Sequence, residues 1–292
     1  MQSEEIIETS DDNLSLSFHR TFSLSRNGVS SVISAIADGS SSSKNSIHAN
    51  TSLGKIQVEA MPRYAERMGL LVSSKNQKNL TLFGRLAFEH DLTLSDKATQ
   101  WAMHYFIAAP HRQSPNFWYQ LVSECLIPEQ TITMTKDDER ATDTITKLLS
   151  AFALEVTGKL PAPKTLNGTV KAFLGTYSKE DALGNLSLLQ ATGSNTYQVL
   201  DPALPAPATF ACLLADYWES VWPGRPDVLL SDLTAGPLAK LLLAEGRLGP
   251  LLREVEKLGL VRVQRRVPPY QVFRLWDNPA AVWQEHLYPV RS

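Results

Sequence analysis

Residues 51–88, TSLGKIQVEAMPRYAERMGLLVSSKNQKNLTLFGRLAF, constrain the fold more tightly than any other stretch of the chain. Val58, Met61, Ala65 and Met68 stand at i, i+3, i+7 and i+10, one face of a 3.6-residue helix. Lys55, Glu59, Arg63, Glu66 and Arg67 are left for the other face. Gly69 can adopt the left-handed conformation that ends a helix. Two apolar runs, 70–72 and 80–83, then flank a polar turn over 73–79 that holds Lys75, Asn76, Lys78 and Asn79. Helix, glycine stop, hairpin, helix is the pattern of a winged helix-turn-helix. Pro62 interrupts it. Inside a helix a proline costs ~3 kcal/mol, so the spacing predicts a kink there or a helix that starts near Met61.

The pattern returns near the C-terminus. Leu248, Leu251, Leu252, Val255 and Leu258 make an apolar helical face, Gly259 is the stop, and two strand-like runs, VRVQ and YQVFRL, flank the turn RRVPP. Between Lys240 and Arg274 there are eight basic residues against three acidic ones, although the whole chain carries a formal charge of only -2. A local basic surface on a near-neutral protein suits nucleic acid.

The 292 residues leave room for two or three small domains. Residues 1–13, with five acids and no base, read as a flexible acidic tail. The expected organisation is an N-terminal winged-helix domain with a helical extension over 14–130, a helical middle segment and linker over 131–208, and a C-terminal winged-helix domain over 209–292. Leu14, Leu16 and Phe18 alternate like a strand; 94–109 reads as a helix capped by Ser95, 116–126 as an aromatic-rich helix, and 137–156 and 167–177 as two more. The linker DPALPAPA over 201–208 contains three prolines and few backbone donors. The fold class is therefore mainly α (α+β), with two winged helix-turn-helix units flanking a helical middle.

Cys125 and Cys212 are far apart and unpatterned, and there is no CxxC pair, so no structural metal site or cofactor is expected. The acidic start is no signal peptide, and no apolar run approaches a membrane span, which points to a cytoplasmic protein. Gly54-Lys55 lacks the glycine and Ser/Thr of a phosphate loop. No nucleophile elbow is visible for Ser/His/Asp catalysis.

FHRTFSLSR at 18–26, GKIQV at 54–58, RYAERMGLL at 63–71, LTLFGRLAF at 80–88, ATQWAMHYFIA at 98–108 and KAFLGTYSKEDALGNLSLLQ at 171–190 occur in an order that resembles the bacterial family catalogued as domain of unknown function 4007. The resemblance covers roughly 18–275. It implies winged-helix-like proteins encoded in antiphage defence regions, including those for sulfur modification of DNA, and no defined reaction. The family's N-terminal signature falls on Phe18, His19, Thr21, Phe22 and Arg26. The chain departs from the family pattern at Pro62, and reads LGNLSLL over 183–189 in place of a Cys-Pro-Leu-like run.

A DNA contact needs a helix for the major groove and cations beside it for phosphates. The first unit offers Lys55, Gln57, Arg63 and Arg67 on its helix, and Lys75 and Lys78 on its wing. The second offers Arg253 and Lys257 on the helix, and Arg262, Arg265 and Arg266 on the wing, where the adjacent arginines precede Pro268-Pro269. His19, Thr21 and Arg26 could form an anion pocket, or Phe18 and Phe22 could pack with His19 as part of the core. The expected function is that of a non-catalytic, double-stranded-DNA-binding accessory or regulatory protein of a bacterial defence or DNA-modification system. The alternatives are an adaptor that uses its winged units to join other defence-system proteins, and a nuclease or nucleotide-dependent factor.

Overall fold

The computed structural model describes residues 16, 18–41, 43–74, 77–112, 116–134 and 144–289. The expected acidic tail, Lys75 and Asn76 of the first turn, and the acidic start of the helix expected over 137–156 lie outside the described residues.

The first helices among the described residues are α1 (Arg26–Ala37), α2 (Lys44–Asn50) and α3 (Gln57–Arg67). The spacing analysis of α3 holds, since Val58, Met61, Ala65 and Met68 are all buried. Pro62 neither starts nor ends the helix. It sits inside it, itself buried. Gly69 follows at φ +75, and the antiparallel hairpin of β1 (Leu71–Ser74) and β2 (Gln77–Leu80) comes next, with Leu71 opposite Leu80. The second apolar run is not a strand throughout. Leu82 and Phe83 already belong to α4 (Leu82–His90), because Thr81 caps that helix by accepting from Gly84 N at 2.9 Å. Gly84 lets α4 press on the hairpin, as a Cβ there would lie 2.0 Å from the Leu70 carbonyl oxygen.

The central helices are α5 (Lys97–Ala108) and α6 (Phe117–Cys125). Asp96 rather than Ser95 caps α5, accepting from Ala98 N at 2.7 Å, while Asn116 caps α6. After β3 (Thr131–Thr133) come α7 (Thr144–Thr157), α8 (Pro163–Ser178), β4 (Leu189–Gly193) and β5 (Thr196–Val199). The middle is thus not purely helical, for these strands form a three-stranded antiparallel sheet in the order β3-β5-β4. Leu14, where the strand-like alternation begins, lies outside the described residues, while Leu16 and residues 18–21 lie in a turn. From there the chain runs along α8: Leu24 N donates to Thr176 Oγ1 at 3.3 Å and Arg26 N to the Asp181 carbonyl at 2.8 Å. Gly175 permits the approach, since a Cβ there would meet Ser23 at 2.8 Å.

The C-terminal part comprises α9 (Pro207–Val221), β6 (Asp227–Leu229), α10 (Leu230–Thr234), α11 (Pro237–Leu241), α12 (Leu248–Lys257), β7 (Val261–Gln264), β8 (Gln271–Arg274) and α13 (Pro279–His286). Its sheet has the order β6-β8-β7, all antiparallel. Buried side chains from the N-terminal, middle and C-terminal parts make one continuous core. The proline-rich linker is tied down as well, because Arg247 donates to the Pro202 carbonyl at 3.0 Å and pairs with Asp201 at 2.8 Å.

A polar relay runs through that core. Trp118 Nε1–H donates to the Tyr177 hydroxyl at 2.8 Å, the hydroxyl donates to His104 Nδ1 at 2.8 Å, and His104 Nε2–H donates to the Leu241 carbonyl at 2.8 Å. The carbonyl at one end fixes the tautomer. At the rim, Asp216 of α9 accepts from Tyr105 at 2.6 Å and pairs with Arg112, joining α5 to α9 again. No helix among the described residues is long and apolar enough to cross a membrane.

Two tests follow from this packing. Burial pushes the imidazoles of His104 and His19 down to about 4 from an ordinary value of 6.5. Between those values the unfolded chain binds more protons, so stability present above pH 6.5 is lost as pH falls toward 4, by at most ~1.4 kcal/mol per pH unit for each histidine. His104→Gln should remove about one proton from the slope of urea-unfolding free energy against pH between 6.5 and 5. The two helix-stopping glycines should also differ. A Cβ on Gly259 meets nothing within 4 Å, whereas one on Gly69 lies 2.4 Å from the Phe106 ring. Gly259→Ala should cost ~1 kcal/mol in urea unfolding and Gly69→Ala roughly 3 kcal/mol or more.

Candidate nucleic-acid interface

The two helix-and-hairpin units differ in what their cations already hold. In the first, Lys55 is exposed in the turn before α3 rather than on the helix. Gln57 starts the helix, and its side-chain oxygen accepts from Gly54 N at 3.1 Å, so it serves the helix end. Arg67 lies over the Phe18 ring at 4.3 Å. Arg63 is half-buried on the same helix. Lys78 pairs with Glu66, which also accepts from Ser73. Glu59 binds both Lys44 and Arg20, and the Lys44 ammonium holds its carboxyl below the usual range. Glu59 and Glu66, which alone would repel a phosphate backbone, are thus joined to cations.

In the second unit, α12 presents Arg253 and Lys257 on its exposed side and buries Leu248, Leu251, Leu252 and Val255. Leu258 was expected on that apolar face, but it is 44% exposed, because it caps the helix beyond the last turn that packs. Pro250 is tolerated in the first turn, where backbone donors have no helical partner. Lys257 pairs with Glu254 at 2.8 Å. Glu256 accepts from Val263 N at 2.7 Å and pairs with Arg265 at 3.4 Å, which fastens the hairpin to the helix. Arg262 stands on the outer face of β7, opposite Phe273 in register, with its guanidinium 4.9 Å from that ring. Arg253 and Arg266 are exposed and make no ion pair among the described residues. Helix and hairpin therefore display four arginines on one unit: Arg265 is ion-paired, Arg262 lies against a ring, and Arg253 and Arg266 have neither kind of partner among the described residues.

The anion pocket expected from His19, Thr21 and Arg26 is not assembled. His19 is 1% exposed, its Nδ1 accepting from Thr21 N at 2.9 Å and its Nε2 3.3 Å from Thr169 Oγ1. A neutral ring in an apolar site, ringed by Phe18, has no free donor for an anion. Thr21 is exposed, while Arg26 donates to the Leu94 carbonyl at 3.2 Å and the Glu180 carbonyl at 2.7 Å. These carbonyls come from elsewhere in the chain, so the structural role of Arg26 has no local signal in the sequence.

Sequence reasoning missed residues around the second hairpin. Arg274 of β8 pairs with Glu219 of α9 at 3.3 Å, and Val267 and Tyr270 stand exposed in the loop between β7 and β8. An apolar residue between two arginines and two prolines in a turn was the available signal.

No family model and no curated protein matches the chain. Two solved structures share its fold. The SspB crystal structure superposes with a TM-score of 0.74 at 15% identity, over 92% of this chain and 86% of that one. The magnesium ion-bound SspB crystal structure gives 0.73 at 14% identity with the same coverage. The likeness is one of fold. Among the described residues no group of three or more His, Cys, Asp and Glu side chains is placed to hold a metal ion.

The double role of Glu256 is testable. Glu256→Ala should lower stability by about 1 kcal/mol through the lost acceptor for Val263 N, whereas Glu256→Gln, which keeps an acceptor oxygen, should recover most of it in urea unfolding.

Proposed function

We propose that this chain is a non-catalytic accessory protein of a bacterial DNA-modification or antiphage defence system, and that it binds double-stranded DNA through α12 and the β7–β8 hairpin as a winged-helix unit. The observation that carries the reading is the pair of exposed, unneutralised guanidiniums of Arg253 and Arg266, set on helix and wing beside Arg262 and Arg265. The order helix, strand, three helices and hairpin in this part, with β8 between β6 and β7, supports that reading. The defence assignment draws on the family resemblance in the sequence and agrees with the fold shared with SspB. In this mechanism the arginines hold phosphates while Arg253 reaches base edges from the helix.

The first unit suits a different task. Its glutamates already neutralise Lys44, Arg20 and Lys78, so it has less to offer a phosphate backbone. It is the better candidate for docking another protein of the same system.

The test is a fluorescence-anisotropy titration of duplex DNA, plain and sulfur-modified, at two salt concentrations. Arg253→Ala/Arg266→Ala should weaken binding to both duplexes and flatten log K against log salt by roughly 1, since the phosphate contact of Arg266 contributes about 0.9. Lys257→Ala should change little, because Glu254 already pairs with that lysine. Absence of binding at low salt to either duplex would remove the DNA reading and leave the adaptor.

A further inference from the structure

We propose that the tip of the β7–β8 hairpin is an apolar wedge that enters the DNA base stack, with Val267 as the inserting side chain. The inference rests on the DNA-binding reading of the same unit.

The loop over 265–270 runs Arg-Arg-Val-Pro-Pro-Tyr, and every residue in it is exposed. Val267 is 65% exposed and Tyr270 43%. A β-branched residue held in water at a hairpin tip contributes nothing to this protein's own core. Its neighbours are equally informative. Arg265 and Arg266 precede it, and Pro268 and Pro269 follow, so an apolar point is bracketed on one side by cations and continued on the other by residues without a backbone donor.

The arm that carries this tip is tied at both ends. Before it, Val263 N donates to Glu256 at 2.7 Å, and Gln264 pairs with Gln271 across the hairpin. After it, the Tyr270 carbonyl accepts from Leu230 N at 2.9 Å, fixing the loop's exit to the start of α10. The tip is thus a projection with a fastened base.

Duplex DNA is the partner whose chemistry matches. Arginines beside a groove bind phosphates and are drawn to the negative potential between the strands. Aliphatic and proline side chains delivered there separate adjacent base pairs and kink the helix. A protein surface would satisfy the valine, but it would leave Arg266 and Arg253 facing acids that only a suitably charged partner supplies, whereas DNA accommodates both the cations and the wedge.

The experiment uses the full chain and a duplex carrying 2-aminopurine at successive positions, with donor and acceptor dyes on the ends of a second copy. Saturating wild-type protein should raise 2-aminopurine fluorescence several-fold at one step and shorten the end-to-end distance. Val267→Ser should abolish both effects while affinity stays within about threefold, because the cations that set it remain. Saturable binding without a fluorescence rise, or a rise that survives Val267→Ser, overturns the wedge and leaves the DNA-binding reading intact. No binding at low salt overturns that reading and the wedge with it.

Discussion

The hydrogen bond from His104 to the Leu241 carbonyl is the point on which the three parts of the chain meet. Through Tyr177 and Trp118 the same imidazole reaches α8 and α6, so four helices share one buried line of donors and acceptors. Each member is fully enclosed, and an orphaned buried donor or acceptor costs ~1–3 kcal/mol. The relay therefore specifies where α11 must sit relative to α5. The position of α12 and its hairpin follows from that, since α12 packs on α9 and α9 on α5. The exposed arginines are placed, at some remove, by a neutral histidine.

Elements with a strong local pattern were legible. Both glycine-stopped helices and both hairpins stand where spacing and turn residues put them, and Asn116 is the cap that its position before an apolar run suggests. What was hidden has a common cause. The strands β3, β4 and β5 are three to five residues long and mostly polar; β4 and β5 make a short hairpin, and β3 becomes a strand only by pairing with β5 across roughly sixty residues of chain. His19 and Arg26 look like anion ligands in isolation, yet their partners at Thr169, Leu94 and Glu180 are remote in sequence. Pro62 does not set the start of its helix, which begins at Gln57 and carries the proline, buried, in its interior.

Charge told a similar story. A count of acids and bases along 240–274 locates a basic region but cannot separate neutralised cations from available ones. Glu254 and Glu256, acids that by themselves would oppose a phosphate backbone, each hold a cation of their own unit. Glu256 also anchors the strand that leads to the hairpin tip. The candidate surface is therefore smaller than the list of lysines and arginines, and its centre lies on Arg253 and Arg266.

The clasp of Arg247 on Pro202 and Asp201 has a consequence for ancestry and engineering. A proline-rich stretch of this kind usually marks a seam at which genes recombine and one module replaces another. Here the seam is stitched, and the part beyond it supplies the carbonyl that a buried imidazole requires. A foreign cassette grafted after 208 would arrive without that acceptor. Diversification of such a protein is thus channelled into the outward faces of its hairpins, and chimeras should be built by exchanging loops rather than halves.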